Sequence, residues 1–191
     1  AAQHIVTLGP VAVELIDNTM LDLARSIAVF RPTVESHIIG QPAAILVVEF
    51  AEDDANENIR RLSELEMMIK NLGFGWDKPS NFTGGTVILD EPRQQEKISE
   101  MRKSGLNIMM SMKGDGKPIS FIEDCAVRLE DLAEYTRRLT EIFTKHGTSG
   151  TWYAHASVGC LHVRPVLNLK QELDVKKMRT IAEEAFAMVR E

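Results

Sequence analysis

The chain has 191 residues with 22 Lys+Arg against 28 Asp+Glu, a formal net charge of −6, and 44% hydrophobic against 26% charged residues. That balance belongs to an ordinary globular protein and excludes disordered and collagen-like classes; no stretch reaches the roughly 20 consecutive apolar residues of a membrane-spanning helix, and an acidic chain without a Lys/Arg cluster excludes nucleic acid as a partner. Two cysteines, Cys125 and Cys160, cannot build a disulfide framework, so the expected compartment is reducing and cytoplasmic.

Hydrophobic periodicity predicts strands alternating with helices. Val11, Val13 and Leu15 predict a strand, after which Asp17 caps a helix carrying Met20, Leu21, Ala24, Ile27 and Ala28; Pro32 is expected to end it. A short segment from Val34 to Ile39 stops at Gly40, and Ala43 to Phe50 is a continuous apolar run expected at the centre of a sheet. The acidic Glu52-Asp53-Asp54 leads into a helix striped by Ile59, Leu62, Leu65, Met68, Ile69 and Leu72, with Gly73 as its stop. Thr86 to Leu89 reads as a short strand, Pro92 to Ser104 as a helix capped by Gly105, and Leu106 to Met112 as a further strand. Lys113 to Pro118 is turn-rich, and Ile119 to about Val127 predicts a strand whose neighbours Glu123 and Asp124 should point to opposite faces. A helix carries Leu129, Leu132, Tyr135, Leu139, Ile142 and Phe143 to Gly147; two strands meet near Gly159, and a last helix starts near Gln171.

Some of these strands follow one another without an intervening helix. The expected fold is therefore α+β, one domain over 1–191: a ferredoxin-like antiparallel or mixed sheet with helices packed on one face and the other face free for a ligand or another domain. The chain starts at Ala1 and its last helical pattern has no stop signal, so both ends read as cut. No G-x-G-x-x-G fingerprint, phosphate loop, G-x-S-x-G elbow or H-E-x-x-H helix occurs.

The informative segment is Thr151 to Pro165. A turn centred on Val158-Gly159 pairs His155 with His162, whose Cβ atoms would then stand about 4.5 to 5.5 Å apart, close enough for two imidazoles to share one metal. Alternation puts Trp152, Ala154, Ala156, Leu161 and Val163 on an apolar face, and Tyr153, His155, His162 and Arg164 on the other. Two histidines need a third protein ligand, usually a carboxylate or another His.

The run His155-Ala-Ser-Val-Gly-Cys-Leu-His162 resembles the H-x-G-D-G-N-L-H motif of the C-terminal substrate (cap) domain of FAD-linked oxidases, the D-lactate, glycolate and D-2-hydroxyglutarate dehydrogenase-like family. Pro10 to Asp17 resembles the family's P-S-A-V-E-L-M-D strand, Arg102 to Leu106 its R-x-x-G-L helix end, and Glu123 to Val127 its E-D-V-A-V-P strand; Met112 to Ile119 is closest to the branch fused to an iron–sulfur oxidoreductase half. Ser157, Val158 and Cys160 replace the motif's Gly, Asp and Asn, and Arg128 stands where Pro is usual. The resemblance implies oxidation of a small 2-hydroxy acid by hydride transfer to FAD, with the FAD-binding domain outside this chain as its partner. It makes His155 and His162 ligands of a divalent metal such as zinc, Arg102 a carboxylate clamp and Arg164 a further substrate contact. The family's third ligand and catalytic base lie in an E-H-G segment downstream, so no catalytic residue is expected here. An iron–sulfur cluster elsewhere in the full-length protein, a peripheral membrane association and a homodimer are compatible with it. The alternatives are a stand-alone α+β small-ligand-binding or regulatory module, and a small metal-dependent hydrolase built on the two histidines.

Overall fold

In a computed structural model of the chain, residues 1–76 and 84–191 are described. Their elements run α1 (Ala2–Ile5), β1 (Ala12–Asp17), α2 (Asn18–Ser26), α3 (Arg31–His37), β2 (Ala44–Glu49), α4 (Ala55–Asn71), α5 (Pro92–Lys103), α6 (Gly105–Met110), β3 (Lys117–Pro118), β4 (Ile122–Ala126), α7 (Leu132–Lys145), β5 (Gly150–His155), β6 (Cys160–Leu167) and α8 (Glu172–Val189). The strands form one sheet in the order β2-β1-β5-β6, with β3 and β4 both pairing with the outer edge of β6. Every pairing is antiparallel, which confirms the α+β expectation and selects the antiparallel form of it.

One face of the sheet buries Val13, Ala154, Leu161 and Val163 against Leu65 of α4, Leu139 and Phe143 of α7, and Ile181 and Ala185 of α8. Helices also reach the other face. There Ile16, Ile45, Val47 and Tyr153 pack with Met20 and Leu21 of α2, Val34 of α3, Ile98 and Met101 of α5, and Ile108 of α6. Helices on one face alone therefore describe half of the molecule. The continuous apolar run of β2 has the same explanation: Leu46 and Val48 join the first cluster, and Ile45 and Val47 the second. A strand covered on both faces reads as apolar throughout wherever it lies, and β2 lies at the sheet edge, not at its centre.

Three local expectations change. Pro32 opens α3 instead of ending α2, because its fixed φ and missing N–H suit a first helical turn. Leu106 to Met110 is helical, its apolar residues following the 3.6 period that buries Ile108 and Met109. Thr86 to Leu89 forms no strand. Asp17 caps α2 as expected, accepting from the Met20 N–H at 2.9 Å, and its second oxygen accepts from the Trp152 N–H at 3.0 Å. This buried carboxyl thus ties β5 to the end of β1. Burial raises its pKa against the opposing pull of those two backbone donors.

Candidate metal and substrate site

The β5–β6 hairpin turns through a 3-10 segment, Ala156–Val158, and Gly159 at φ 68°. Four residues occupy the connection, so His155 pairs with Cys160 and Tyr153 with His162. The predicted His155–His162 register is off by two residues. A two-residue shift conserves the face, because side chains alternate with period two. His155 and His162 become diagonal neighbours, their rings edge to face with centroids 5.1 Å apart. Tyr153, two residues before His155 on β5 and opposite Ile16 of β1, has its ring 5.9 Å from that of His155 and stacked 5.8 Å from that of His162.

Glu14 is the residue that motif reading of the hairpin overlooks. It is 5% exposed, opposite His155 across the β1–β5 ladder. The His155 Nδ1 lies 2.9 Å from both Glu14 oxygens, and Arg102 Nη1 lies 2.7 Å from Glu14 Oε1. An acid amid Val13, Leu15 and Ile16 was a signal, since a carboxylate enters a sheet interior only with partners. Arg102 thus arrives from α5 with one nitrogen committed to Glu14, while its buried Nε has no hydrogen-bond partner among the described residues. Burial pushes the Tyr153 phenol up, and the adjacent Glu14 charge adds to that.

On the other side of the histidines, β4 carries a bulge. Glu123 pairs with His162 and Cys125 with Leu161, leaving Asp124 unpaired at φ 59°. An extra residue abolishes the alternation of a regular strand. Glu123 and Asp124 therefore both serve the chemical face, contrary to the expectation of opposite faces: Glu123 accepts from the Arg164 Nε, and Asp124 Oδ1 lies 3.1 Å from the His162 Nδ1. Burial would raise the Glu123 carboxyl, but hydrogen bonds from Arg164 and Ser120 and the Arg164 charge outweigh it and hold the pKa below its ordinary value. The buried Nη1 of Arg164 has no partner among the described residues. Cys160 is half-buried on the same face; burial, then the charge of Asp124, pushes its thiol up.

The four sequence-predicted residues, Arg102, His155, His162 and Arg164, thus fall on one side of the sheet. Each histidine presents Nδ1 to a carboxylate, Glu14 or Asp124. That is the arrangement in which an imidazole is oriented from behind and keeps Nε2 for a metal. The donor set fits a divalent cation held by two imidazoles, with further ligands required from elsewhere.

The whole chain, residues 1–191, matches the family described as FAD linked oxidases, C-terminal domain. The chain belongs to that family. It is 31% identical over 98% of its length to a D-2-hydroxyglutarate dehydrogenase of Pantoea ananatis, and 30% identical over 98% of its length to one of Escherichia coli. A Haemophilus influenzae protein of the same name is 29% identical over 96% of the chain. The chain spans 18% of the length of each of these relatives. No helix among the described residues is long and apolar enough to cross a membrane.

Proposed function

We propose that this chain is the substrate-binding part of an FAD-dependent dehydrogenase acting on a small 2-hydroxy acid. The observation that carries the reading is a pair of arginines, Arg102 and Arg164, each with a buried guanidinium nitrogen that has no acceptor among the described residues, beside two carboxylate-backed histidines. A buried unsatisfied donor on a cation costs free energy that an anionic ligand recovers, and a guanidinium suits a carboxylate in its planar fork. Two such arginines favour a dicarboxylic 2-hydroxy acid, in keeping with the relatives' D-2-hydroxyglutarate, over D-lactate.

His155 and His162 would hold the metal and the arginines the carboxylates, so that the substrate hydroxyl lies against the histidine pair. A bound metal would supply Lewis-acid polarisation of that hydroxyl, and FAD held by another domain would supply the hydride acceptor. Glu14 fixes the orientation of His155 and of Arg102 together, so metal and carboxylate subsites share one anchor. The Tyr153 ring packs against both imidazoles and so helps to hold the histidine pair in place. An iron–sulfur half and a cytoplasmic location, with peripheral membrane contact or dimerisation, complete the proposal for the full-length protein.

The test is anaerobic reduction of the flavin in the full-length protein, followed as loss of oxidised-flavin absorbance. D-2-Hydroxyglutarate should bleach the flavin faster than D-lactate at equal concentration, and Arg164→Gln should lose that preference. No bleaching by either acid, or bleaching unaffected by Arg102→Gln and Arg164→Gln together, refutes the assignment.

A further inference from the structure

Cys160 lies away from the Glu14 side of the histidine pair and looks toward β4. Its Sγ, a ring nitrogen of His162 and a carboxylate oxygen of Asp124 all lie within 4.8 Å of one another. Two backbone features create this grouping. The β4 bulge turns Asp124 out of the alternation and toward His162, at a positive φ that a non-glycine residue adopts at a cost. At the start of β6, Gly159 presses on the end of β4: the Val127 N–H donates to the Gly159 carbonyl at 3.0 Å, and a Cβ at Gly159 would sit 2.0 Å from the Val127 oxygen. Cys160 follows directly and pairs with Ala126, which brings its side chain beside Asp124.

We propose that Asp124, Cys160 and His162 form a three-ligand site for a borderline-soft divalent cation such as zinc, with Cys160 bound as the thiolate. The donors are one sulfur, one imidazole nitrogen and one carboxylate oxygen, a set that prefers zinc, cobalt or copper to magnesium or calcium. Bond lengths of about 2.3 Å to sulfur and about 2.0 to 2.2 Å to nitrogen and oxygen put the ligand atoms of one tetrahedral ion about 3.4 to 3.7 Å apart. The separations, none above 4.8 Å, exceed that spacing by about 1 Å at most, and Asp124, whose side chain is 75% exposed, is free to adjust by exchanging its 3.1 Å contact with His162 for the ion. Three protein ligands leave a fourth position for water or a ligand oxygen. Binding forms a metal–sulfur bond and releases the thiol proton to solvent, with no change of oxidation state. The site shares His162 with the histidine pair, differs from it in both other donors, and rests on none of the flavin chemistry.

The protein is loaded with one equivalent of zinc and its coordination read by X-ray absorption at the zinc edge. One sulfur at about 2.3 Å is expected together with nitrogen or oxygen at about 2.0 to 2.2 Å. Cys160→Ala should lose the sulfur, whereas Cys125→Ala and His155→Ala should keep it; all three should retain the wild-type circular dichroism. A shell of nitrogen and oxygen alone, sulfur that survives Cys160→Ala, or failure to retain stoichiometric zinc overturns the proposal. A sulfur-free shell that disappears in His155→Ala overturns it while leaving the histidine pair as the metal site.

Discussion

Replacing Glu14 by Ala isolates the anchor of the site. The side chain is 7% exposed and is shared by Arg102, itself 20% exposed, and His155, 44% exposed. Removing one partner of a buried ion pair costs about 3 to 5 kcal/mol, because the surviving charge is left desolvated. Here the lower end applies. Water can reach the histidine and part of the guanidinium, although the Arg102 Nε is buried and has no acceptor among the described residues. Loss of about 3 kcal/mol, divided by a urea slope of about 2 kcal/mol/M, lowers the unfolding midpoint by about 1.5 M. The assay is equilibrium urea unfolding followed by the fluorescence of Trp76 and Trp152. Glu14→Leu combined with Arg102→Met removes both charges together and should recover most of the loss. An Ala variant within about 0.5 kcal/mol of wild type, the range of ordinary surface changes, would refute the claim that Glu14 anchors buried groups, and so would failure of the double replacement to improve on the single one.

Gly159→Ala meets both a positive φ and the Val127 carbonyl oxygen at 2.0 Å; backbone strain and displacement should cost more than about 3 kcal/mol, read as a fall of about 6 to 12 °C in Tm. The Glu123–Arg164 pair sets a pH dependence. Because the folded-state pKa of Glu123 is depressed, its contribution is fully present above the ordinary carboxylate value of 4.5 and is lost as pH falls through the lower folded value. Urea unfolding between about pH 6 and pH 3 should therefore show a shallower acid decline for Arg164→Gln than for wild type, and identical slopes would remove the pairing as a cause.

Most of the strand and helix pattern, the α+β class, the Asp17 cap and the shared face of Tyr153, His155, His162 and Arg164 are legible in the sequence because each depends on local periodicity or on a cap. Even the register error at the hairpin left that face intact, since the extra turn residues came in a pair. Other features were set by long-range packing. Whether Leu106 to Met110 became helix or strand depended on the α2 and α3 residues waiting to bury Ile108 and Met109, and the lateral place of β2 depended on strand order that an apolar run cannot report. Glu14 and His155 are 141 residues apart in sequence, so a lone acid in an apolar strand is visible, but its partners exist only after the β1–β5 ladder forms. Asp124 depended on the bulge, an insertion relative to β6 that is defined by the pairing of two strands and by neither strand alone. Residue types supplied the site's chemistry; tertiary pairing chose which carboxylate stands behind each histidine, because ion pairs and ladders join segments that local periodicity leaves independent.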